Sequence, residues 1–499
     1  MSEEVKLTQS QGAEFEFVGT EGSGILDQII NETRIGKNDW EREQSRRQMT
    51  TLVEGVMNGT IRRSNDLEGM INARIADIDK VLSAQLNVIM HAPEFQKLEG
   101  AWRGLHYFVM QSETSATLKI RVLHASKDEL LVDLDGSVEF DQSALFKKVY
   151  EEEYGTFGGM PYGTLIGDYE FGRHPQDLVL LGKIANVAAA AHAPFVSAAA
   201  PALFGLESFT DLPNPRDLAK KFETPDYAKW KSFRESEDSR YVGLTLPHVL
   251  MRLPYGPDMV PVETFNFKED VDGTDHSKYL WGNAAYAMGV RLTDAFAKYG
   301  WTAAIRGVEG GGRVDGLPTH TFQTDEEDVA LKCPTEIAIT DRREKELADL
   351  GLIPLVHCKG TDYAAFFSVQ SAQKVKKYDT GAANANARLS AQLPYLMAVS
   401  RFAHYLKVMM RDKIGSFVST SECERFLNEW ISNYVTPDDN ATAAAKAQFP
   451  LRDAKIEVVE VPGKPGVYKA VAFLRPHFQL DELSVSLRLV AELPPPAKG

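Results

Sequence analysis

Three features of the chain predict a mixed α/β and α+β protein of more than one domain. Strand-like and helix-like stretches alternate through its middle, a long helical run follows residue 386, and three strand-like runs close the sequence. At 499 residues the chain is too long for one core, and about 100–200 residues per domain gives two or three. An apolar fraction of 43% with 25% charged residues is that of an ordinary globular protein.

Residues 1–60 read as an N-terminal arm. Glu14, Phe15, Glu16, Phe17 and Val18 alternate as a short strand does, and a glycine-rich joint follows at Gly19 to Gly24. A strand with no neighbour in its own sequence leaves backbone groups unpaired, so this arm asks for another chain or a distant sheet.

Residues 61–375 read as an α/β body. From Asp66 to Met90 the apolar positions Leu67, Met70, Ile71, Ile75, Ile78, Leu82, Leu86 and Ile89 recur at three and four residues, one stripe on a long helix. Pro93 ends that helix and opens the next. Strands are expected at Leu118 to Leu123, Thr164 to Phe171 and Pro194 to Ala200, and helices at Asp141 to Tyr154, capped by Asp141, and Gln176 to Ala191. Around residues 207–240 charges crowd, which reads as a polar surface excursion anchored by Phe222, Tyr227, Trp230 and Phe233. Trp281 to Ser371 has the texture of a packed core: a helix, the strand-like Thr302 to Ile305, a glycine knot, a second helix and two apolar runs.

Residues 376–499 read as a C-terminal helical and β unit. Asn386 to Tyr434 is helical, with Leu389, Leu393, Leu396, Ala403, Leu406, Met410 and Ile414 on one stripe and a break at Gly415. Pro437 to Ala447 is a linker or an exposed short helix. Strands are expected at Ala454 to Val461, Val467 to Leu474 and Leu483 to Ala491, and three prolines at 494–496 forbid further sheet.

Composition and motifs argue against several functions. A formal net charge of -15 opposes general nucleic-acid binding, which needs clustered cations. Cys333, Cys358 and Cys423 form no C-x-x-C pair, so neither a disulfide framework nor a zinc knuckle is expected, and a reducing compartment fits. The polar, acidic first residues are not those of a signal peptide. Ile184 to Phe204 is alanine-rich and broken by His192, Pro194 and Pro201, so it reads as a buried helix end and a buried strand, with no membrane insertion. The glycine knot Gly307 to Gly312 is followed by Arg313-Val314 where a P-loop needs Lys and a hydroxyl, and Glu309 would put a negative charge in the cradle. Gly310 to Gly312 is therefore expected to be a turn, with a nucleotide-binding enzyme as the alternative of a different class. No metal-ligand histidine spacing and no G-x-S-x-G elbow occurs, and Asp325 to Asp328 lacks the spacing of a calcium loop. No catalytic, cofactor or metal residues are assigned.

Five blocks carry a family resemblance: HAPEFQKLEGAWRGLHYFV (91–109), PYGTLIGDYEF (161–171), WGNAAYAMGVRLTDAFAKYGWTAAIRGVEGGG (281–312), CPTEIAITDRREKELADLGLIPLVHCKGTDYAAFFSVQS (333–371) and NANARLSAQLPYLMAVSRFAHYLKVMMRDKIGSF (384–417). They resemble the large sheath subunit of type VI secretion systems, the TssC or VipB family, from about residue 20 to near the C-terminus. The resemblance implies a cytoplasmic, non-enzymatic sheath protomer with a gpW/gp25-like C-terminal domain and strand-exchanging termini, docked to the envelope through a baseplate. It implies pairing with a small sheath subunit of the TssB/VipA type, stacking in helical rings around an Hcp inner tube, contraction that propels the tube, and disassembly by the AAA+ ATPase ClpV. A single-chain phage or pyocin-like tail sheath is the alternative within the same class. The strand-donating positions implied are Glu14 to Val18 together with Ile456, Val458, Val459, Val461, Val485, Leu487 and Leu489. Lys407, Arg411 and Lys413 on the long helix are expected to face the tube through complementary charge.

Overall fold

The computed structural model describes residues 39–57, 67–323, 329–412, 419–438, 440–460 and 468–477. It divides into two compact units, one of residues 1–86 with 261–268 and one of 87–260 with 269–499. The described part of the first unit holds α1 (Asp39–Met57) and most of α2 (Leu67–Met90). The α2 stripe exists as expected, but the chain leaves it uncovered: Ile71, Ile75, Ile78 and Leu82 are each between 43% and 50% exposed.

The second unit begins with α3 (Pro93–Met110), which has Pro93 at its first turn, where a missing N–H costs nothing. Next comes α4 (Lys127–Gly136). Ser126 accepts from the Glu129 N–H while the Glu129 carboxylate accepts from the Ser126 N–H, a reciprocal cap that fixes where the helix starts. After β1 (Leu165–Phe171), α5 (Pro175–Ala191) ends where His192 takes a left-handed conformation at φ 51°. Then follow β2 (Phe195–Ala199), β3 (Val242–Leu246), β4 (Val249–Leu250), β5 (Trp281–Gly282), α6 (Ala285–Tyr299), β6 (Arg313–Val314), β7 (His320–Gln323), β8 (Val329–Lys332), α7 (Asp341–Asp349), β9 (Ile353–His357) and β10 (Ala364–Phe366). The C-terminal part adds α8 (Gly381–Ala391), α9 (Leu393–Asp412), α10 (Thr420–Ser432), β11 (Leu451–Glu460) and β12 (Tyr468–Pro476).

A six-stranded sheet in the order β1-β2-β3-β9-β10-β6 forms the centre of the body. Its first four strands are parallel, while β10 runs antiparallel to both β9 and β6. Every residue of β2 and β3 is buried, as in strands covered on both faces, and the two hydroxyls among them, Ser197 and Thr245, donate to backbone carbonyls of the neighbouring strands. The main core gathers Phe171, Leu181, Ile184, Val196, Leu244, Met288, Leu355 and Phe366 around this sheet. The polar excursion of 207–240 is tied to it by Phe222, Tyr227, Trp230 and Phe233, all buried as anchors. A second core holds Trp301, Phe402, Leu427, Ile431, Leu451 and Ile456, with the Trp301 and Phe402 rings stacked at 4.2 Å.

Four expectations are corrected. Leu118 to Leu123 joins no strand: Leu118 and Ile120 turn inward, Ile120 against the Phe108, Tyr286 and Val290 cluster, while Val122 and Leu123 stay exposed. Thr302 to Ile305 forms no strand: Thr302 lies in a bend, and the glycine turn folds back on Ala304. Asp141 caps nothing. It lies in a short 3-10 turn, and the Ser143 hydroxyl accepts from the Phe146 N–H to start the helical segment that widens into a π-helical stretch at Lys147–Tyr154. The long helical run after residue 386 is divided at Gln392, whose backbone is extended, and Pro394 sits in the first turn of the helix that follows. Gly415 and the acidic run Asp325 to Asp328 lie outside the described residues. No described helix is long and apolar enough to cross a membrane.

Candidate assembly surfaces

The two C-terminal strands form an antiparallel ribbon in which Ile456 faces Ala472, Val458 faces Ala470 and Val459 faces Lys469. One face packs on α10: Ile456 and Val458 are buried with Cys423, Leu427 and Ile431. The other face is open, with Val459 51% and Phe473 54% exposed. Ile456, Val458 and Val459 are thus the described members of the expected strand-donating set. Glu14 to Val18, Val461, Val485, Leu487 and Leu489 lie outside the described residues.

The two edges of the ribbon differ. On the outer edge of β11, the Asn428 side-chain amide donates to the Ile456 carbonyl at 2.7 Å, and the Ile456 N–H donates to Asn428 Oδ1 at 2.9 Å. The Val458 N–H donates to Glu424 Oε2 at 3.3 Å. At the start of the strand, the Leu451 N–H donates to the Tyr434 carbonyl and the Leu451 carbonyl accepts from the Thr436 N–H. Helix α10 and the turn after it therefore occupy the edge a further strand would need. Since Ile456 spends both backbone groups on Asn428, Ile456–Ala472 is a pair without ladder bonds, and the two-residue repeat makes Val458–Ala470 and Ala454–Leu474 the same. The N–H and C=O groups of Ala470, Ala472 and Leu474 then point away from β11. Among the described residues no backbone group meets them. Nothing in the sequence marks Asn428 and Glu424 for this role, because both are ordinary polar positions on an amphipathic helix.

Lys407 and Arg411 are held by rings. The Lys407 ammonium lies 3.5 Å from the Tyr154 ring centroid and 4.7 Å from that of Tyr150, and donates to Tyr150 Oη at 3.2 Å. The Arg411 guanidinium lies 4.6 Å from the Phe157 centroid, and its Nη1 donates to the Thr156 carbonyl at 2.9 Å. Helix α9 is thereby fastened to the π-helical segment of the body. Lys413 lies outside the described residues. Of the neighbouring histidines, His404 is buried and His192 partly so: desolvation holds His404 down at about 4, and desolvation with the charges of Lys407 and Arg240 lowers His192.

The glycine knot is a chain reversal. Gly307 and Gly311 have φ of 73° and 92°, the Gly307 N–H donates to the Phe366 carbonyl at 2.7 Å, and the Gly312 N–H donates to the Gly307 carbonyl at 2.8 Å. A phosphate cradle needs such N–H groups free to converge on an anion. Two of them are already used inside the protein.

A charged clamp joins the ends of the parallel strands. His248, two residues beyond β3, meets Glu336 through Nδ1 at 2.5 Å and Glu170 of β1 through Nε2 at 2.8 Å. Burial pushes the imidazole down, but the hydrogen bonds and charges of the two carboxylates outweigh it and hold His248 up at about 10. Ser208 donates to the other oxygen of Glu336 at 2.9 Å, so the polar excursion is bound to the same clamp. In this arrangement the serine faces the carboxylate and not the imidazole, so no nucleophile–base pair is formed.

The sequence matches the family described as EvpB/VC_A0108, tail sheath N-terminal domain, over residues 72–373, and the EvpB/VC_A0108 tail sheath gpW/gp25-like domain over 382–493. It is 55% identical over 462 residues to the type VI secretion system sheath protein TssC1 of Pseudomonas aeruginosa, an alignment covering 92% of this chain and 93% of that protein. Among solved structures, the baseplate of the anti-feeding prophage matches 63% of this chain and 66% of its own with a TM-score of 0.34 and 8% identity. The contracted helical sheath of the same particle matches 63% and 67% with a TM-score of 0.33 and 9% identity.

Proposed function

The chain belongs to the EvpB/VC_A0108 family of tail sheath proteins and is a large subunit of a contractile type VI secretion sheath, and on that premise we propose how it assembles. The observation that carries the proposal is the asymmetry of the C-terminal ribbon. Helix α10 occupies the β11 edge, and Ala470, Ala472 and Leu474 of β12 offer theirs, so a strand from a neighbouring subunit adds to β12. The arm residues Glu14 to Val18 are a suitable donor, since they alternate and lack a partner in their own stretch of sequence.

The small sheath subunit docks along the exposed stripe of α2. Water-exposed apolar positions repeated at three and four residues are what a partner helix covers. An Hcp tube is met by the basic edge of α9 at Lys407 and Arg411, which ring contacts hold in fixed positions, and by Lys413 next in sequence after the helix. Contraction is a change between two packings of the same subunits that propels the tube, with a baseplate setting it off and ClpV dismantling the spent sheath. The role is structural and involves no catalytic step.

Electron microscopy of the chain expressed alone and with its small partner tests this reading. Ribbed hollow tubes that require both chains are expected. Tubes formed by this chain alone would favour a single-chain sheath, and none in either case would overturn the assignment.

A further inference from the structure

Between the body and the C-terminal helices lies a cleft of about 1750 Å³ whose charge is opposite to that of the protein. The chain as a whole has 55 lysines and arginines against 70 carboxylates. The cleft lining has nine against four. Lys377 and Arg388 on its rim are exposed and pair with no carboxylate among the described residues. Lys374 is shared with Glu235 at 3.1 Å, on a side chain that stays more than half exposed. Deeper in, the buried Arg234 donates to two carbonyls, Ala372 at 2.9 Å and Asp349 at 3.0 Å, so no carboxylate meets its charge directly. Ser371, buried beside it, has a hydroxyl without a partner. A buried cation left without a counter-charge is costly unless something supplies one.

The size and chemistry of the cleft narrow the occupant. It exceeds the usual volume of about 300–1,000 Å³ for a small-molecule site. Four carboxylates interrupt the cations of the lining, which opposes the continuous phosphate run of a nucleic acid. An acidic polypeptide can place side chains against the cations and avoid the carboxylates. Each copy of this chain also carries an excess of acidic surface that the next copy must accept if the two are to stack. A cleft of one sign meeting a different, oppositely charged patch is a heterologous contact, the kind that propagates into open helical arrays.

We propose that this cleft receives an acidic stretch of a second copy of the chain in the assembled sheath. The proposal rests on the sheath reading. It is tested by the full-length double variant Lys377→Glu/Arg388→Glu expressed with the small subunit, and by a photo-crosslinking amino acid at Tyr378, which lines the same cleft. The variant is expected to keep the wild-type melting temperature and to co-purify with the small subunit, yet to form few or no tubes. The crosslinker is expected to join Tyr378 to an Asp- or Glu-rich stretch of another copy. Wild-type tube yield from the variant, or crosslinks only to the small subunit, the tube protein or the same copy, would overturn the proposal. Absence of tubes from the wild-type chain would instead overturn the sheath reading, and the cleft proposal with it.

Discussion

The Asn428 side chain and the Ile456 peptide groups close on each other through two hydrogen bonds, 2.7 and 2.9 Å long, so that a helix does the work of a neighbouring strand. An amide side chain carries the same donor and acceptor as a peptide, which is why it can terminate a sheet edge. Losing both bonds in Asn428→Ala should destabilise the ribbon by about 1–3 kcal/mol, at about 0.5–1.5 kcal/mol each. Hydrogen exchange at the Ile456 amide should speed up while helix α9 keeps its protection. Unchanged exchange would show that the edge is protected some other way.

The glycine turn yields a paired prediction. A Cβ on Gly311 would stand 2.1 Å from the Ala304 carbonyl oxygen, and its φ of 92° already disfavours any side chain, whereas one on Gly310 meets nothing within 4 Å. Gly311→Ala should therefore destabilise the body by more than about 1 kcal/mol, and Gly310→Ala should be nearly neutral or slightly stabilising. Thermal melts of the two variants check this. Equal melts would contradict the turn geometry.

The repeating elements were legible in the sequence. The buried strand β2, the helix α5 and the four aromatic anchors of the polar excursion follow from periodicity and composition. What was not legible depends on contacts distant in sequence. Leu118 to Leu123 has strand-like residues, yet the packing of Ile120 against Phe108 and Tyr286 takes the place of a ladder. The stripe of α2 was readable as a stripe, but no period says whether the chain covers it. The plugging of β11 by Asn428 joins residues 28 apart, and the basic cleft draws cations from separate segments, so neither forms a local pattern.

The His248 clamp makes stability depend on pH in a definite direction. A histidine raised from 6.5 to about 10 contributes fully below its unfolded value and loses that contribution as pH climbs toward the folded one. For Glu170 and Glu336, burial pushes the carboxyls up but the hydrogen bonds to His248 outweigh it and hold them below 4.5, so their share is lost as pH falls beneath that value. The clamp is thus strongest between about pH 4.5 and 6.5. His248→Ala, which leaves the buried Glu336 with Ser208 as its partner while the half-exposed Glu170 turns to water, should destabilise by about 1–3 kcal/mol near pH 6. The gap between wild-type and variant melting temperatures should narrow by pH 9–10, roughly where the folded histidine titrates. A pH-independent gap would contradict the ion-pair account.

Lys407 is asked to serve both the fold and the tube, and two substitutions separate these tasks. Lys407→Met keeps the stem but removes the cation from the Tyr150 and Tyr154 rings, a loss of about 1–2 kcal/mol. Lys407→Glu removes the same contacts and also reverses the charge. Calorimetric melts should place both variants below wild type, and tube binding by purified subunits should fall further for the glutamate than for the methionine. Equal tube binding by all three chains would remove α9 as the tube-facing side.

The most direct test of the account is a cryo-electron microscopy reconstruction of the sheath at side-chain resolution, read at the C-terminal ribbon. The account predicts a strand from another subunit hydrogen-bonded to Ala470, Ala472 and Leu474, with Asn428 still closing the edge at Ile456. A foreign strand paired with β11 in place of Asn428, or a β12 edge bare in the assembled sheath, would contradict it.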